Sequence, residues 1–236
     1  MDDGAQSAIP DRIQLVLDRI DRAVHVSGRR AGCVRLVAAT KTVPVDAIRE
    51  AASAGLRFAG ESRLQEALPK IQALREEPLR WHFIGRLQRR KVRDIVGKFE
   101  LIHSVDSVEL AREIDRRAGS AGVRQAVLLE VNVGGEAAKG GFRIEELSAV
   151  LPRVGELPHI KVMGLMAIPP QVDEAERARP YFRRMRELAE ELSQLHIPAI
   201  SMDELSMGMS DDYIVAIEEG ATIVRVGTAI FGARRT

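Results

Sequence analysis

Short apolar runs alternate with longer amphipathic segments eight times along the chain, which predicts a (β/α)8 TIM barrel preceded by an extra N-terminal helix. Three observations carry that prediction. The connections between apolar runs are long enough for crossovers, so the strands they join are parallel. The turn after the first strand reads "TKTVP", where an open doubly wound sheet would carry a glycine-rich turn. No Pro/Gly/Ser-rich linker divides the 236 residues, and "LPRVGELPHIK" fits one helix-to-strand loop, so residues 1–236 are expected to form a single domain.

The elements follow in order. After Pro10, the positions Ile13, Leu17, Ile20 and Val24 recur with helical period and predict an amphipathic helix reaching about Gly28. The strand candidates are "VRLVAAT" from Val34, "RFAGE" from Arg57, "WHFIG" from Trp81 and "LIHSV" from Leu101. They continue with "AVLLEVNV" from Ala126, "KVMGLMAI" from Lys161, "AISMDELS" from Ala199 and "TIVRVGTAI" from Thr222. Helical spacing returns between them, as at Val45, Ile48 and Ala52, or at Phe182, Met185, Leu188 and Leu192. The basic stretch "GRLQRRKVRD" from Gly85 lacks interleaved aromatics and reads as a solvated helix face, not a nucleic-acid site.

Charge and cysteine usage narrow the class. Lys+Arg number 35 against 34 Asp+Glu, a net charge of +1, so no field recruits nucleic acid or an anionic membrane. Cys33 is the only cysteine, which excludes an internal disulfide, and no Cys/His spacing suits a structural zinc. The start "MDDGAQSAIPDRIQ" is acidic and polar where a signal peptide would be basic and then apolar, so a cytoplasmic protein is expected.

Barrel chemistry belongs at the C-terminal strand ends. In "ELSMGMSDD" the residues Ser206, Gly208 and Ser210 form a small turn ahead of a helix, and "RVGTAIFG" sets Gly227 and Thr228 at the neighbouring strand end. Backbone amides with hydroxyls there suit a phosphate dianion, although serine before a helix is also an ordinary N-cap. Lys41, at the end of the first strand, could hold a phosphorylated aldehyde as a Schiff base while the phosphate is gripped across the mouth. The small residues Ala38, Ala39 and Thr40 leave room beside its stem for a flat ring. Arg225 shares the inward face of the last strand with Ile223 and Gly227. It either pairs with a buried acid such as Glu130 or Asp203, or hydrogen-bonds an acceptor nitrogen on the bound ring. Met166, Met207 and Met209 could pack on such a ring, and His82, inside an apolar run, reads as a satisfied core residue with acid/base work as its alternative.

Taken together these blocks resemble the pyridoxal-phosphate homeostasis protein family, single-domain relatives of the alanine racemase N-terminal barrel. The similarity runs through "VAATKTVP", "FAGESRLQEALPKI", "WHFIGRLQRRK", "HSVDS", "VNVGGEAAKGGF", "MGLMAI", "ELSMGMSDD" and "VRVGTAIFG". It implies a covalent aldimine of pyridoxal 5′-phosphate at Lys41, with Ser206, Gly208, Gly227 and Thr228 on the phosphate and Arg225 facing the pyridine nitrogen. With Met209, Met166 and His82 from the reading of the residues, and Ser62 at the end of the second strand, these make up the expected cofactor-binding set. Two departures stand out: Ser62 follows Gly60 and Glu61 where the family usually has asparagine, and "KGGF" follows from Lys139 where a serine often comes after the lysine.

The resemblance implies a monomeric carrier that supplies pyridoxal phosphate to apo-enzymes and catalyses little. An amino-acid racemase is the alternative. An arginine opposite the ring nitrogen cannot readily donate a full proton, and racemases of this type take their second base from another domain and subunit, which the sequence is not expected to supply. A lysine Schiff-base aldolase acting on a phosphosugar is a third possibility without pyridoxal phosphate.

Overall fold

A computed structural model describes residues 8–136 and 139–233. The outer ends of the expected 1–236 domain and the centre of "NVGGEAAKGGF" lie outside the described residues. Eight parallel strands pair in chain order and close on themselves, with β1 (Arg35–Ala39) between β2 (Phe58–Glu61) and β8 (Ile223–Val226). Around the barrel come β3 (Arg80–Phe83), β4 (Leu101–Val105), β5 (Gln125–Val131), β6 (Ile160–Ala167) and β7 (Ile200–Ser206). The outer layer holds α1 (Ile9–Val26), α2 (Val45–Ser53), α3 (Leu64–Ala73), α4 (Val92–Ile95) and α5 (Val108–Ala121). It continues with α6 (Leu147–Gly155), α7 (Arg179–Ser193), α8 (Tyr213–Glu218) and α9 (Thr228–Phe231). The architecture is the (β/α)8 barrel with an N-terminal helix that the alternation predicts, and no described helix is long and apolar enough to cross a membrane.

Strand alternation sorts the apolar residues into two cores. Val37, Leu101, Leu128, Met166 and Ile223 meet inside the barrel, where Phe58, Ala126 and Met163 join them. Leu36, Ala38, Ile102 and Val224 face outward into the larger core beneath the helices. The extra helix has a packing reason. Because α8 and α9 span only six and four residues, the seam between β8 and β1 would be thinly covered. Helix α1 packs against α2, α8 and α9 there and buries Ile13, Val16, Ile20, Ala23 and Val24. Each of its larger apolar side chains contributes roughly 1.5–3 kcal/mol by leaving water.

Two segments depart from expectation. "GRLQRRKVRD" is not a helix face but a 3-10 turn at Arg89–Lys91 running into the single-turn α4. Val92 and Ile95 of that turn are buried, and Gly97, at φ 76, redirects the chain at once toward β4. In "TIVRVGTAI" the strand stops at Val226 and Thr228–Phe231 is helical. Gly227 makes the break, packed so close to β1 that an added Cβ would lie 3.3 Å from the Ala39 carbonyl oxygen.

The register of β6 also depends on one glycine. Pairing shifts between Val162 and Gly164 against β7, and an added Cβ at Gly164 would lie 1.9 Å from the Glu204 carbonyl oxygen. Gly164→Ala is therefore expected to push β6 from β7 and to destabilise the barrel by roughly 1–3 kcal/mol. Urea unfolding measures it, and an unchanged midpoint would show that the strands have slack to absorb a methyl group.

Candidate functional site

A cavity of about 980 Å³ opens at the C-terminal end of the barrel. Its wall is assembled from Ala39 and Lys41 after β1, Ser62 after β2, Ile84 after β3, Ile168 after β6, Met209 and Ser210 after β7, and Arg225, Gly227 and Thr228 at β8. Ile9 of α1 and Phe231 of α9 extend it.

Lys41 continues the inward alternation of Val37 and Ala39, and its amine has no hydrogen-bond or ion-pair partner among the described residues. Its backbone, in contrast, is gripped on both sides by α3. Lys70 Nζ donates to the Thr40 carbonyl oxygen at 2.7 Å and to Glu61 Oε1 at 2.7 Å, and the Thr40 hydroxyl donates to the same Glu61 oxygen at 2.7 Å. On the far side the Thr42 N–H donates to Glu66 Oε2 at 3.0 Å, which holds the Glu66 carboxyl below its ordinary range. Thr42 has φ 63, a left-handed conformation costly for a β-branched residue. A strained residue thus follows the lysine directly, and α3 pins it. Glu66 and Lys70 were not singled out in the sequence, and Glu61 only as the end of the second strand, yet a signal exists: Lys70 shares the buried face of α3 with Leu64 and Ala67.

Across the mouth, the Ser210 hydroxyl oxygen accepts from the amides of Gly227 at 3.2 Å and Ala229 at 3.4 Å. Two amides and a hydroxyl therefore converge beside the exposed Thr228. Gly208 shapes this loop and does not line the cavity. Its φ is 92, and an added Cβ would lie 2.6 Å from the Ala216 Cβ, so only glycine lets the end of β7 pack on α8.

Arg225 reaches the cavity from below with every fixed contact made to a neutral acceptor. It donates to the Ser206 carbonyl at 2.8 Å, to Ser206 Oγ at 2.5 Å and to the Ala167 carbonyl at 2.9 Å. Neither suggested acid pairs with it: Asp203 is exposed, and Glu130 acts only from a distance. Burial pushes the Arg225 guanidinium down to about 10, against the opposing pull of Asp212 and Glu130, so it stays charged at neutral pH. Burial pushes Glu130 up, with Asp106 adding to it.

Beneath Arg225 the polar contacts continue through the barrel. Ser206 Oγ lies 2.8 Å from His103 Nδ1, and His103 Nε2 lies 2.9 Å from His82 Nδ1. Burial pushes His82 down to about 3, aided by the charges of Arg35 and Arg80. Burial also holds His103 well below the usual imidazole range, aided by His82, Arg225 and Arg35. Of the residues singled out by sequence, Lys41, Ser62, Met209, Arg225, Gly227 and Thr228 share the wall. Ser206 and His82 lie in the polar column below it, and Met166 packs in the inner apolar cluster. His103 went unrecognised, though its place two residues after Leu101 in "LIHSV" puts it on the inward face.

The two histidines set a pH dependence. Their folded pKa values lie below the unfolded value near 6.5, so the unfolded chain binds more protons in that window and stability falls as pH drops below about 6.5. The expected slope approaches roughly 1.4 kcal/mol per pH unit for each histidine. Urea unfolding between pH 7 and 5 tests it, before most carboxylates titrate, and a flat profile there would contradict neutral burial.

The closed parallel barrel presents Lys41, just after its first strand, to a cavity walled by its last, and the family-model match places that arrangement in the alanine racemase N-terminal class. The family described as "Alanine racemase, N-terminal domain" matches residues 15–235. The pyridoxal phosphate homeostasis protein of Aquifex aeolicus is 50% identical over 225 residues, covering 95% of this chain and 98% of that one. The chain belongs to the pyridoxal phosphate homeostasis protein family. Among solved structures, a protein from Bifidobacterium adolescentis described as unknown superposes with a TM-score of 0.88 at 39% identity, over 98% of this chain and 97% of that one. PipY of Synechococcus elongatus PCC7942, solved with PLP bound, matches with a TM-score of 0.78 at 39% identity, over 91% and 100% of the two chains.

Proposed function

We propose that this chain holds pyridoxal 5′-phosphate as a Schiff base on Lys41 and serves its intracellular homeostasis and delivery, not catalysis. One observation carries the reading: a single cavity presents an unpartnered amine, a buried guanidinium bonded only to neutral groups, and a loop with converging amides. The cofactor supplies an aldehyde, a phosphate and a ring nitrogen, one for each of those features. The Lys41 amine adds to the aldehyde and water leaves. The Ser210 and Thr228 hydroxyls would receive the phosphate, which would take over the Gly227 and Ala229 amides from Ser210 Oγ, and Arg225 would donate to the ring nitrogen. Met209 and Ser62 border the ring, while Gly208, Ser206, Met166 and His82 act from behind the wall. The PLP-bound PipY and the homeostasis proteins among the relatives support the choice of cofactor.

Support for a carrier comes from what faces the cavity. Its titratable lining residues among the described ones are Lys41, Asp211 and Arg225, with neither a histidine nor a tyrosine to act as a second base. The proposed recipients are apo forms of pyridoxal-phosphate enzymes, met by a cytoplasmic monomer that uses neither nucleic acid nor membrane. One domain spanning residues 1–236 suffices for that role.

Lys41→Ala is expected to abolish the adduct fixed by borohydride, read by intact mass, with an unchanged thermal midpoint. An adduct persisting on another lysine would remove Lys41 from the role. Ser210→Ala should weaken pyridoxal phosphate about tenfold while sparing pyridoxal, because of the two ligands only the first carries a phosphate to reach that hydroxyl. Equal losses for both would place the phosphate elsewhere.

The holo-protein should reactivate an apo-enzyme yet leave L-alanine unracemised in time-resolved circular dichroism. Racemisation at an enzymatic rate, on the order of 1 per second or faster, would replace the carrier reading with the racemase.

A further inference from the structure

We propose that Ser206 and His103, backed by His82, are positioning residues that aim the Arg225 guanidinium at the cavity without neutralising it. The hydrogen-bond directions follow from what each group can do. Arginine only donates, so Ser206 Oγ accepts from Arg225 at 2.5 Å. The serine O–H is then free to donate to His103 Nδ1 at 2.8 Å. His103 therefore carries its proton on Nε2 and donates to His82 Nδ1 at 2.9 Å. His82 in turn carries its proton on Nε2, which faces Glu100 Oε1 at 4.0 Å, just ahead of β4 at the opposite end of the barrel. Reversing the chain would leave the Ser206 hydroxyl hydrogen without an acceptor and turn a lone pair of His82 toward a carboxylate. One arrangement satisfies every contact from Arg225 to His82 Nδ1 and leaves the buried His82 Nε2–H without a hydrogen bond, turned toward the Glu100 carboxylate.

The same column explains why Arg225 lacks a carboxylate. A carboxylate in place of Ser206 would hold the guanidinium fork in a bidentate ion pair and consume its donors. A protonated His103 one link away would repel it. A hydroxyl relayed through two neutral imidazoles fixes the guanidinium's orientation and leaves its charge available to an acceptor in the cavity. The first consequence needs no ligand. The second rests on the reading that the acceptor is the ring nitrogen of pyridoxal phosphate.

The test has two arms. In the ligand-free protein, long-range proton–nitrogen NMR of its five histidines, assigned with His82→Asn and His103→Gln, should show rings 82 and 103 neutral and protonated on Nε2 at pH 7 and at pH 5. A charged ring, or an Nδ1–H tautomer at either position, would overturn the relay. In the second arm, dissociation constants are measured for pyridoxal 5′-phosphate and for its analogue with CH in place of the ring nitrogen. The wild type should prefer the natural cofactor about tenfold, the scale of a hydrogen bond to a charged group. Ser206→Ala should cut that preference at least threefold while leaving the analogue's affinity unchanged. His103→Gln, which keeps an acceptor and a donor, should retain more of the preference than His103→Leu. Equal weakening of both ligands would reduce Ser206 to a packing role and overturn the proposal. Should the wild type bind neither ligand, the cofactor reading fails, and the tautomers alone decide the relay.

Discussion

The burial of one guanidinium organises the interior of this barrel. A charge removed from water without a carboxylate beside it is expensive, and the site tolerates Arg225 only because two carbonyls and a hydroxyl are held within reach of its fork. Those acceptors come from β6 and β7, so the arginine on β8 is satisfied only when three strands are in register. The interior divides accordingly. Apolar side chains from β1, β4, β5, β6 and β8 form a compact cluster, and the polar column runs beside it through Ser206, His103 and His82. Neutral histidines follow from the same constraint, since additional positive charge next to a buried arginine would raise the cost further.

Lys41 is handled in the opposite manner. Its side chain is left free while its backbone is fixed, by a buried Lys70–Glu61 pair on one side and a strained Thr42 held by Glu66 on the other. Desolvating an ion pair and holding a threonine at positive φ both cost stability, about 1–3 kcal/mol for the strain alone. Both costs fall within one residue of Lys41. The two basic side chains of the cavity are thus held in complementary ways: the arginine is a fixed donor, and the lysine amine stands without a partner among the described residues on a fixed backbone.

Much of this was legible in the sequence because strand runs and helix periodicity are local signals. "VRLVAATK" shows by its length and ending both a buried strand and the residue delivered at its mouth, and the Ile13–Val24 spacing announces α1. The division of labour within "SMGMS" was not legible. Ser206 and Ser210 are equivalent as letters, and only the end of β7 at Ser206 and the turn at Gly208 send one into the core and the other to the cavity. The His82–His103 contact joins β3 to β4 through side chains, and no spacing along the chain reports it. "GRLQRRK" misled because exposed basic residues suit a helix face and a 3-10 turn equally well.

Barrel closure carries a consequence for the order of events during synthesis. Lys41 follows the first strand, Arg225 lies in the last and Gly227 ends it, and the pairing of those two strands seals the sheet. A chain still leaving the ribosome would display its lysine long before it possessed a pocket. A ligand bound across the seam would therefore meet its site only in the finished molecule, and it would act as a clasp between the oldest and youngest strands, lending its binding energy to the closed form.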